Sequence, residues 1–221
     1  MKKIAVIVAG GLGARMGAGL PKQFLHIKRK PLLYYTLDVF FRSFEDMQVV
    51  LVLPEEYVEM GREIIDAYFD ETRIRITVGG ASRFESVKNG LNLIGEESII
   101  FVHDAVRCLV TIDLIRRCYE TALETGSAIP VVKSSDSVRL LSSEGASDAL
   151  EREKIVLVQT PQVFHSKILL PAYNIDYKDK FTDEAAVVEA FGLKVSLVEG
   201  DKNNIKVTHP IDLVVAERLL P

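Results

Sequence analysis

The sequence predicts an α/β protein built on a doubly wound, mostly parallel β-sheet with helices on both faces. Short apolar segments alternate along the chain with longer amphipathic segments, which is the pattern of repeated βα units. The apolar segments lack the period-two alternation of half-exposed strands, as expected for strands that are buried on both faces of a parallel sheet. We expect the 221 residues to form one domain over residues 1–221, with an insertion at about 133–159.

Six apolar segments are predicted to be strands. They are Ile4–Val8, Val49–Leu53, Ile74–Val78, Ile99–Val102, Ala128–Val132 and Val195–Val198. Between them, Glu55–Tyr68 and Ile112–Glu124 are predicted to be helices. A further helix is predicted to begin at Ser82, because Ser82 and Glu85 have the spacing of a capping box. Its apolar stripe consists of Phe84, Val87, Leu91 and Ile94.

Residues 133–159 interrupt the alternation with two serine-rich, turn-rich stretches. Within them, Val138–Leu141 and Ile155–Val158 are predicted to pair as a two-stranded arm. Since an isolated hairpin is only marginally stable in water, we expect the arm to pack, most simply against the same arm of a second subunit. A flexible insertion is the alternative interpretation.

Composition and charge exclude several classes of protein. The formal net charge of −4 gives no electrostatic signature of nucleic-acid binding. No apolar run reaches the roughly 20 residues of a membrane helix, and the N-terminus does not resemble a signal peptide. The only cysteines, Cys108 and Cys118, are too few for a disulfide framework or a zinc quartet. We therefore expect a cytoplasmic enzyme that binds neither nucleic acid nor membranes.

The strongest functional signal is the glycine-rich segment 9–22, Ala-Gly-Gly-Leu-Gly-Ala-Arg-Met-Gly-Ala-Gly-Leu-Pro-Lys. Glycine lets backbone N–H groups approach a ligand closely, and successive N–H groups form an anion-binding concavity. Arg15 and Lys22 add two positive charges, so the segment predicts polyphosphate binding. The spacing excludes a P-loop, and Met16 replaces the third glycine of a dinucleotide fingerprint. The alternative interpretation is a plain glycine-rich connection between a strand and a helix.

Other polar clusters occur where strands end or helices begin. Asp104 follows the fourth predicted strand and can bind Mg²⁺ or a ribose hydroxyl, since hard cations prefer oxygen ligands. Thr182 is predicted to cap a helix with an acidic first turn, and a merely structural helix is the alternative. Pro210 is predicted to begin the last helix. The four histidines have no partner evident from spacing and are predicted to be surface or capping residues.

Taken together, these segments resemble the family of cytidylyltransferases that join CTP to 2-C-methyl-D-erythritol 4-phosphate in the synthesis of isoprenoid precursors. The resemblance spans nearly the whole chain and depends on the order and spacing of its motifs. These motifs are Ala9–Met16, Pro21–Gln23, Gly79–Gly80 with Arg83 and Ser86–Val87, His103–Arg107, Thr160–Gln162, Thr182–Ala185, Val198–Gly200 and Asn204–Pro210. The resemblance implies a Rossmann-like nucleotidyltransferase fold with a projecting β-arm, and a homodimer joined through the 133–159 arm.

The resemblance also implies a reaction and a role for each site residue. A phosphate oxygen of the polyol phosphate attacks the α-phosphorus of CTP, pyrophosphate leaves, and Mg²⁺ is the divalent cation. Arg15 and Lys22 are implied to stabilise the transition state, and Arg152 and Lys206 to orient the polyol phosphate, with Arg152 placed to complete the neighbouring subunit's site. The implied nucleotide-binding residues are Ala9, Gly10, Gly11, Gly13, Gly80, Ser86 and Asp104, of which Asp104 is also the metal ligand. The implied substrate-binding residues are Arg107, Thr160, Thr182 and Thr208.

Three other functions share part of this pattern. A ribitol 5-phosphate cytidylyltransferase would share the nucleotide half of the site and differ in the pocket for the sugar phosphate. A hexose 1-phosphate nucleotidyltransferase usually carries more sequence for a sugar domain than 221 residues allow. A catalytically silent nucleotide-binding regulator is disfavoured by the presence of Arg15 and Lys22.

Overall fold

The computed structural model describes residues 1–10, 20–143 and 145–220. The strands of these residues are β1 Lys2–Val8, β2 His26–Ile27, β3 Lys30–Pro31, β4 Met47–Leu53, β5 Ile74–Val78, β6 Ser98–Asp104, β7 Ser127–Lys133, β8 Arg139–Leu141, β9 Ser147–Ala149, β10 Val156–Val158, β11 Gln162–His165 and β12 Leu197–Glu199. The α-helices are α1 Leu32–Ser43, α2 Val58–Tyr68, α3 Arg83–Leu91, α4 Ile112–Thr125, α5 Ser166–Ala172, α6 Glu184–Ala190 and α7 Pro210–Leu219. Within the described ranges, no helix combines the length and hydrophobicity needed to cross a lipid bilayer.

The central sheet is mostly parallel, as predicted. Its strand order is β10-β7-β11-β6-β1-β4-β5, with β12 paired to β7. The strand β1 runs parallel to both β4 and β6, and β4 runs parallel to β5. The strand β11, which the sequence did not predict, is antiparallel to its neighbours β6 and β7.

Apolar side chains cover both faces of the sheet. Ala5 and Ile7 of β1 belong to the buried cluster that α1, α2 and α4 form on one face. Ile4 and Val6, which point the opposite way, belong to the cluster formed with α3, α5 and α6. Because strand side chains alternate between faces, a strand covered on both sides favours apolar residues at successive positions. This explains why uniform apolar runs identified the strands.

Several predicted helix features are confirmed. The Ser82 hydroxyl accepts the Glu85 N–H at 3.1 Å and the Glu85 carboxylate accepts the Ser82 N–H at 3.0 Å, which completes the capping box. The helix predicted from Glu55 begins with the 3₁₀ turn Glu55–Tyr57 and continues as α2. Pro210 occupies the first turn of α7.

The predicted pairing within the arm is wrong. Val138–Leu141 does not pair with 155–158. Instead, β8 pairs with β9 as a separate hairpin, and β10 joins the edge of β7 in the central sheet. Gly145 takes φ +84° in the turn, so the chain reverses there and brings β9 to β8. The exposed Leu140 and Leu141 lie on this hairpin.

The predicted cap of α6 is off by one residue. The Asp183 carboxylate, and not the Thr182 hydroxyl, accepts the Ala186 N–H at 2.9 Å. The reason is that α6 begins at Glu184, so Asp183 is the residue whose side chain can reach the free N–H groups of the first turn.

Candidate active site

Loops that follow β1, β5 and β6 line one cavity of about 350 Å³ at the carboxyl edge of the sheet. Parallel strands place their carboxyl ends at the same edge, where open α/β sheets bind ligands. The cavity is lined by Val8, Ala9, Gly10, Lys22, Gln23, Gly80, Ala81, Ser82, Arg83, Ser86, Asp104, Val106 and Lys206. Seven of the residues to which the resemblance assigns a role therefore meet here: Ala9, Gly10, Lys22, Gly80, Ser86, Asp104 and Lys206. The predicted residues Gly11, Gly13 and Arg15 lie outside the described residues.

Close backbone packing forms one wall of the cavity. The Ser86 hydroxyl accepts the Gly80 N–H at 3.1 Å and donates to the Ser82 carbonyl at 2.9 Å. A Cβ at Gly79 would lie 2.9 Å from Ser86 Oγ, and one at Gly10 would lie 3.2 Å from the same atom. Glycine at both positions therefore lets the loops after β1 and β5 approach the start of α3.

Lys22 is held at the cavity by its neighbour Gln23. The two residues belong to the 3₁₀ turn Lys22–Phe24, whose Phe24 packs into the buried core. The buried Gln23 amide donates to the Ala9 carbonyl at 2.6 Å, and the Lys22 ammonium donates to the Val207 carbonyl at 3.4 Å. The turn thus joins the glycine-rich segment to the loop that carries Lys206.

Three cations surround Asp104. Its carboxylate is 2.9 Å from Lys206 Nζ, 3.3 Å from Arg83 Nε and 3.7 Å from Arg107 Nε. Burial alone would raise the pKa of Asp104, but the charges of Arg83, Lys206 and Arg107 outweigh it and hold the pKa well below its usual range. Asp104 is consequently ionised at neutral pH, although only 7% of the residue is exposed.

Arg83 is fixed on its other side by a buried carboxylate. Its terminal nitrogens donate to both oxygens of Glu184, which in turn accepts the Tyr173 hydroxyl at 3.2 Å. Burial would lower the pKa of Arg83, but the Glu184 and Asp104 carboxylates raise it well above its usual value. Arg83 therefore remains charged inside the protein.

The backbone of Asp104 is also held in place. Its N–H donates to the Thr160 hydroxyl at 3.1 Å, and that hydroxyl lies 3.1 Å from His103 Nδ1. His103 is fully buried and not a surface residue as predicted, because it sits within β6 beneath α1. Burial lowers the pKa of His103 to about 3, so the ring is neutral. Thr160 then donates to Nδ1, and Nε2–H donates to the Arg107 carbonyl at 3.3 Å.

Buried amides hold the loop that carries Lys206. Gln159 donates to the carbonyls of Asp201 and Asn204 at 2.8 and 3.3 Å. The fully buried Asn204 donates to the Thr160 carbonyl at 2.9 Å. The Val207 N–H donates to the Val106 carbonyl at 3.0 Å. Lys206, whose side chain is 43% exposed, is therefore presented from a firmly bonded backbone.

Several predicted residues lie beside the cavity or away from it. Arg107 is mostly buried and donates to the Asn204 carbonyl at 2.7 Å. Thr160 supports Asp104 from behind, and Thr208 donates to Asp212 at 3.0 Å. Thr182 is exposed. Arg152 donates to the Ser135 carbonyl at 3.3 Å at the base of the 133–159 insertion and does not line this cavity.

Sequence reasoning missed the roles of Gln23, Arg83 and Glu184. All three occur in the motifs that carry the family resemblance, but their spacing in the sequence does not predict which residues they contact. Arg83 and Glu184 are 101 positions apart. Only the fold brings them together.

The charge of the cavity suits an anion. Among its described lining residues, three are cationic, namely Lys22, Arg83 and Lys206, and Asp104 is the one carboxylate. The low dielectric of the cavity walls strengthens the attraction between these cations and a bound anion. With the backbone of Ala9 and Gly10 beside them, the site can bind a polyphosphate and neutralise a second anion that approaches it.

Comparison with known proteins finds one family. The sequence profile of the 2-C-methyl-D-erythritol 4-phosphate cytidylyltransferase family matches residues 3–221. Proteins of that name from Bacteroides thetaiotaomicron and Bacteroides fragilis are 44% and 46% identical to this chain over 220 residues, and each match covers 100% of both chains.

Solved structures from the same family have a similar fold. The 2-C-methyl-D-erythritol 4-phosphate cytidylyltransferase structure from Francisella tularensis has a TM-score of 0.82, 30% identity and 100% coverage of both chains. The corresponding structure from Thermus thermophilus has a TM-score of 0.77 and 32% identity, and the match covers 99% of this chain and 98% of that one. This chain therefore belongs to the 2-C-methyl-D-erythritol 4-phosphate cytidylyltransferase family.

Proposed function

We propose that this protein transfers CMP from CTP to 2-C-methyl-D-erythritol 4-phosphate, giving 4-diphosphocytidyl-2-C-methyl-D-erythritol and pyrophosphate. The observation that carries the proposal is the cavity that gathers Lys22, Asp104 and Lys206 beside Ala9 and Gly10 in a chain of this family. The names of the relatives favour the erythritol substrate over ribitol 5-phosphate, because both are called 2-C-methyl-D-erythritol 4-phosphate cytidylyltransferases and match this chain over their full length.

The reaction requires two anions to meet. An ionised oxygen of the substrate phosphate attacks the α-phosphorus in line, the bond to the bridging oxygen of the β-phosphate breaks, and pyrophosphate carries away the electron pair. No side chain needs to take a proton, so catalysis comes from positioning and charge stabilisation. Lys22, together with Arg15, stabilises charge that develops on the α-phosphate. Lys206 and Arg152 orient the substrate phosphate.

The remaining predicted residues would bind around these groups. The backbone of Ala9, Gly10, Gly11 and Gly13 would lie along the triphosphate. Gly80 in the loop after β5 and Ser86 in the first turns of α3 would contact cytosine. Around the substrate phosphate would lie Arg107, Thr160, Thr182 and Thr208. Thr160 also supports Asp104, whose N–H donates to its hydroxyl.

A divalent cation fits the site as a partner of the nucleotide. Among the described residues, no group of three or more His, Cys, Asp or Glu side chains could hold a metal alone. Asp104 offers one carboxylate to the cavity, and Mg²⁺ typically combines one or two carboxylates with substrate phosphates and water. Asp104 would thus hold Mg²⁺ that arrives with CTP, and the ion would supply neutralising charge.

We further propose a homodimer in which Arg152 completes the neighbouring site. Within one chain, Arg152 is half exposed and lies outside the cavity. The nearby hairpin exposes Leu140 and Leu141 and β10 exposes Leu157, which a second subunit could cover.

A substrate panel tests the reaction. CTP and the other nucleoside triphosphates are crossed with 2-C-methyl-D-erythritol 4-phosphate, ribitol 5-phosphate and other polyol phosphates, and pyrophosphate is measured. Turnover only with CTP and the erythritol phosphate supports the proposal. Preference for ribitol 5-phosphate, or the absence of turnover in the whole panel, contradicts it.

Mixed dimers test the placement of Arg152. Lys22→Met and Arg152→Met should each be inactive alone. If Arg152 acts on the partner's site, unfolding and refolding the two variants together makes about half of the dimers mixed, and one site of each mixed dimer is intact. About a quarter of the wild-type activity should return. Activity that stays at the level of the single variants would place Arg152 in its own subunit's site.

A further inference from the structure

Glu184 lies behind the cavity, has no exposed surface and does not line the cavity. Its carboxylate accepts hydrogen bonds from both terminal nitrogens of Arg83 and from the Tyr173 hydroxyl. These three donors satisfy the hydrogen-bonding capacity of the carboxylate. A buried ion pair is nevertheless weak evidence for a stabilising role, since a protein in which apolar residues replace both partners is often equally stable. A role in positioning accounts better for the charge.

Arg83 links this buried carboxylate to the cavity. While its terminal nitrogens contact Glu184, its Nε donates to Asp104 Oδ1 at 3.3 Å. The guanidinium is planar and rigid, so fixing one edge of it fixes the direction in which the other donor points. A lysine could carry the charge but could not make both contacts in this geometry.

Glu184 is itself fixed relative to the sheet. Gln162 on β11 accepts the Ala185 N–H at 2.8 Å and donates to Asp183 at 3.2 Å. Gln162 is the register partner of Val102 on β6, two residues before Asp104. The start of α6 and the carboxylate in the cavity are therefore anchored to adjacent strands, and Arg83 spans the space between them.

We propose that Glu184 is a positioning residue for nucleotide binding, which acts through Arg83 to hold Asp104 in place on the cavity wall. This inference rests on the proposed function only in assigning the nucleotide to this cavity. It predicts that nucleotide binding depends on a buried side chain of α6, which acts through the guanidinium of Arg83 on the carboxylate of Asp104 that lines the cavity.

The first test replaces Glu184→Gln, which keeps the shape of the side chain and removes its charge. Displacement of a positioned group by about 1 Å can cost a hundredfold, so we expect the KM for CTP to rise about 10-fold or more. The KM for the polyol phosphate should change much less. Glu189→Gln, on the exposed side of the same helix, is the matched control and should leave both constants unchanged.

A double-variant cycle separates positioning from a general loss of structure. Arg83→Lys keeps a positive charge but loses the bridge, so it should also weaken CTP binding. If Glu184 acts only through Arg83, the double variant should bind CTP no more weakly than Arg83→Lys alone. Losses that multiply in the double variant would overturn the inference.

Direct CTP binding, measured by calorimetry without any polyol phosphate, keeps this test independent of the substrate. If the protein binds CTP and turns over another polyol phosphate, the proposed reaction is wrong and this inference still stands. CTP affinity that is unchanged in a folded Glu184→Gln protein overturns it. If that variant does not fold, Tyr173→Phe, which removes one donor to Glu184, replaces it in the cycle and should weaken CTP binding several-fold.

Discussion

Replacing Asp104→Asn should destabilise the protein by about 3 kcal/mol at pH 7. The carboxylate forms ion pairs with Arg83, Arg107 and Lys206. The amide would leave Arg83 paired with Glu184 alone, and it would remove the ion-pair partner of Arg107 and Lys206. Removing one partner of a buried pair typically costs about 3–5 kcal/mol. The side chains of Arg83 and Lys206 are 26% and 43% exposed, so solvent screening places this variant at the low end. The melting temperature should fall by about 6–12 °C.

The pH dependence of this loss provides a sharper test. Because the pKa of Asp104 is held below its unfolded value of about 3.9, the ionised carboxylate stabilises the folded protein above that pH. As the pH falls further, the unfolded chain takes up a proton that the folded protein still excludes, and the stabilisation declines. Urea denaturation of both proteins between pH 7 and pH 3 should show a stability difference that is constant to about pH 5 and then shrinks. A difference that stays constant throughout would refute the electrostatic explanation.

Three further changes have defined outcomes. Gly80→Ala places a Cβ 2.3 Å from the Cβ of Glu85, so it should lower the free energy of unfolding by about 1–3 kcal/mol and weaken CTP binding. The control Gly95→Ala, with no atom of the described residues within 4 Å of the new Cβ, should change neither quantity. Urea denaturation measures the free energy of unfolding, and calorimetry measures CTP binding. Thr160→Val removes the acceptor of a buried N–H, so its free energy of unfolding should fall by about 1–3 kcal/mol, as measured in urea. Burial raises the pKa of Cys108 and of Cys118 to about 12. A thiol reagent at about pH 8 should therefore label neither cysteine in the folded protein and both after unfolding, and rapid labelling of the folded protein would contradict this burial.

The sequence predicted the sheet well where burial alone determines the residue types. Five of the six predicted strands lie within observed ones, and the sixth overlaps the short edge strand β12. The strand β11 was missed because Gln162 and His165 occupy its two ends, so the run does not look apolar. Both side chains are buried, and Gln162 is satisfied by α6 and its cap. A local hydrophobicity pattern cannot identify a strand in which a buried polar residue has its hydrogen-bond partner elsewhere in the chain.

The arm shows a second limit of local reasoning. Apolar strand-like runs at Val138–Leu141 and Ile155–Val158 carry no information about which edge each one will meet. A tight turn at Gly145 supplied a nearer partner for β8, and the free edge of β7 supplied one for β10. Pairing was therefore determined by turn chemistry and by the sheet that the rest of the chain had already built.

For the candidate site, the sequence predicted which residues take part but not the contacts between them. Asp104 meets Arg83, 21 positions earlier, and Lys206, far later in the chain, and its N–H meets Thr160. The carboxylates of Asp104 and Glu184 together offset only two of the three positive charges around Asp104. The excess charge would be costly in a buried site without a ligand, yet it leaves attraction available to a triphosphate. The same arrangement that limits stability therefore favours anion binding, which explains why this edge of the sheet is rich in buried polar contacts that no apolar core requires.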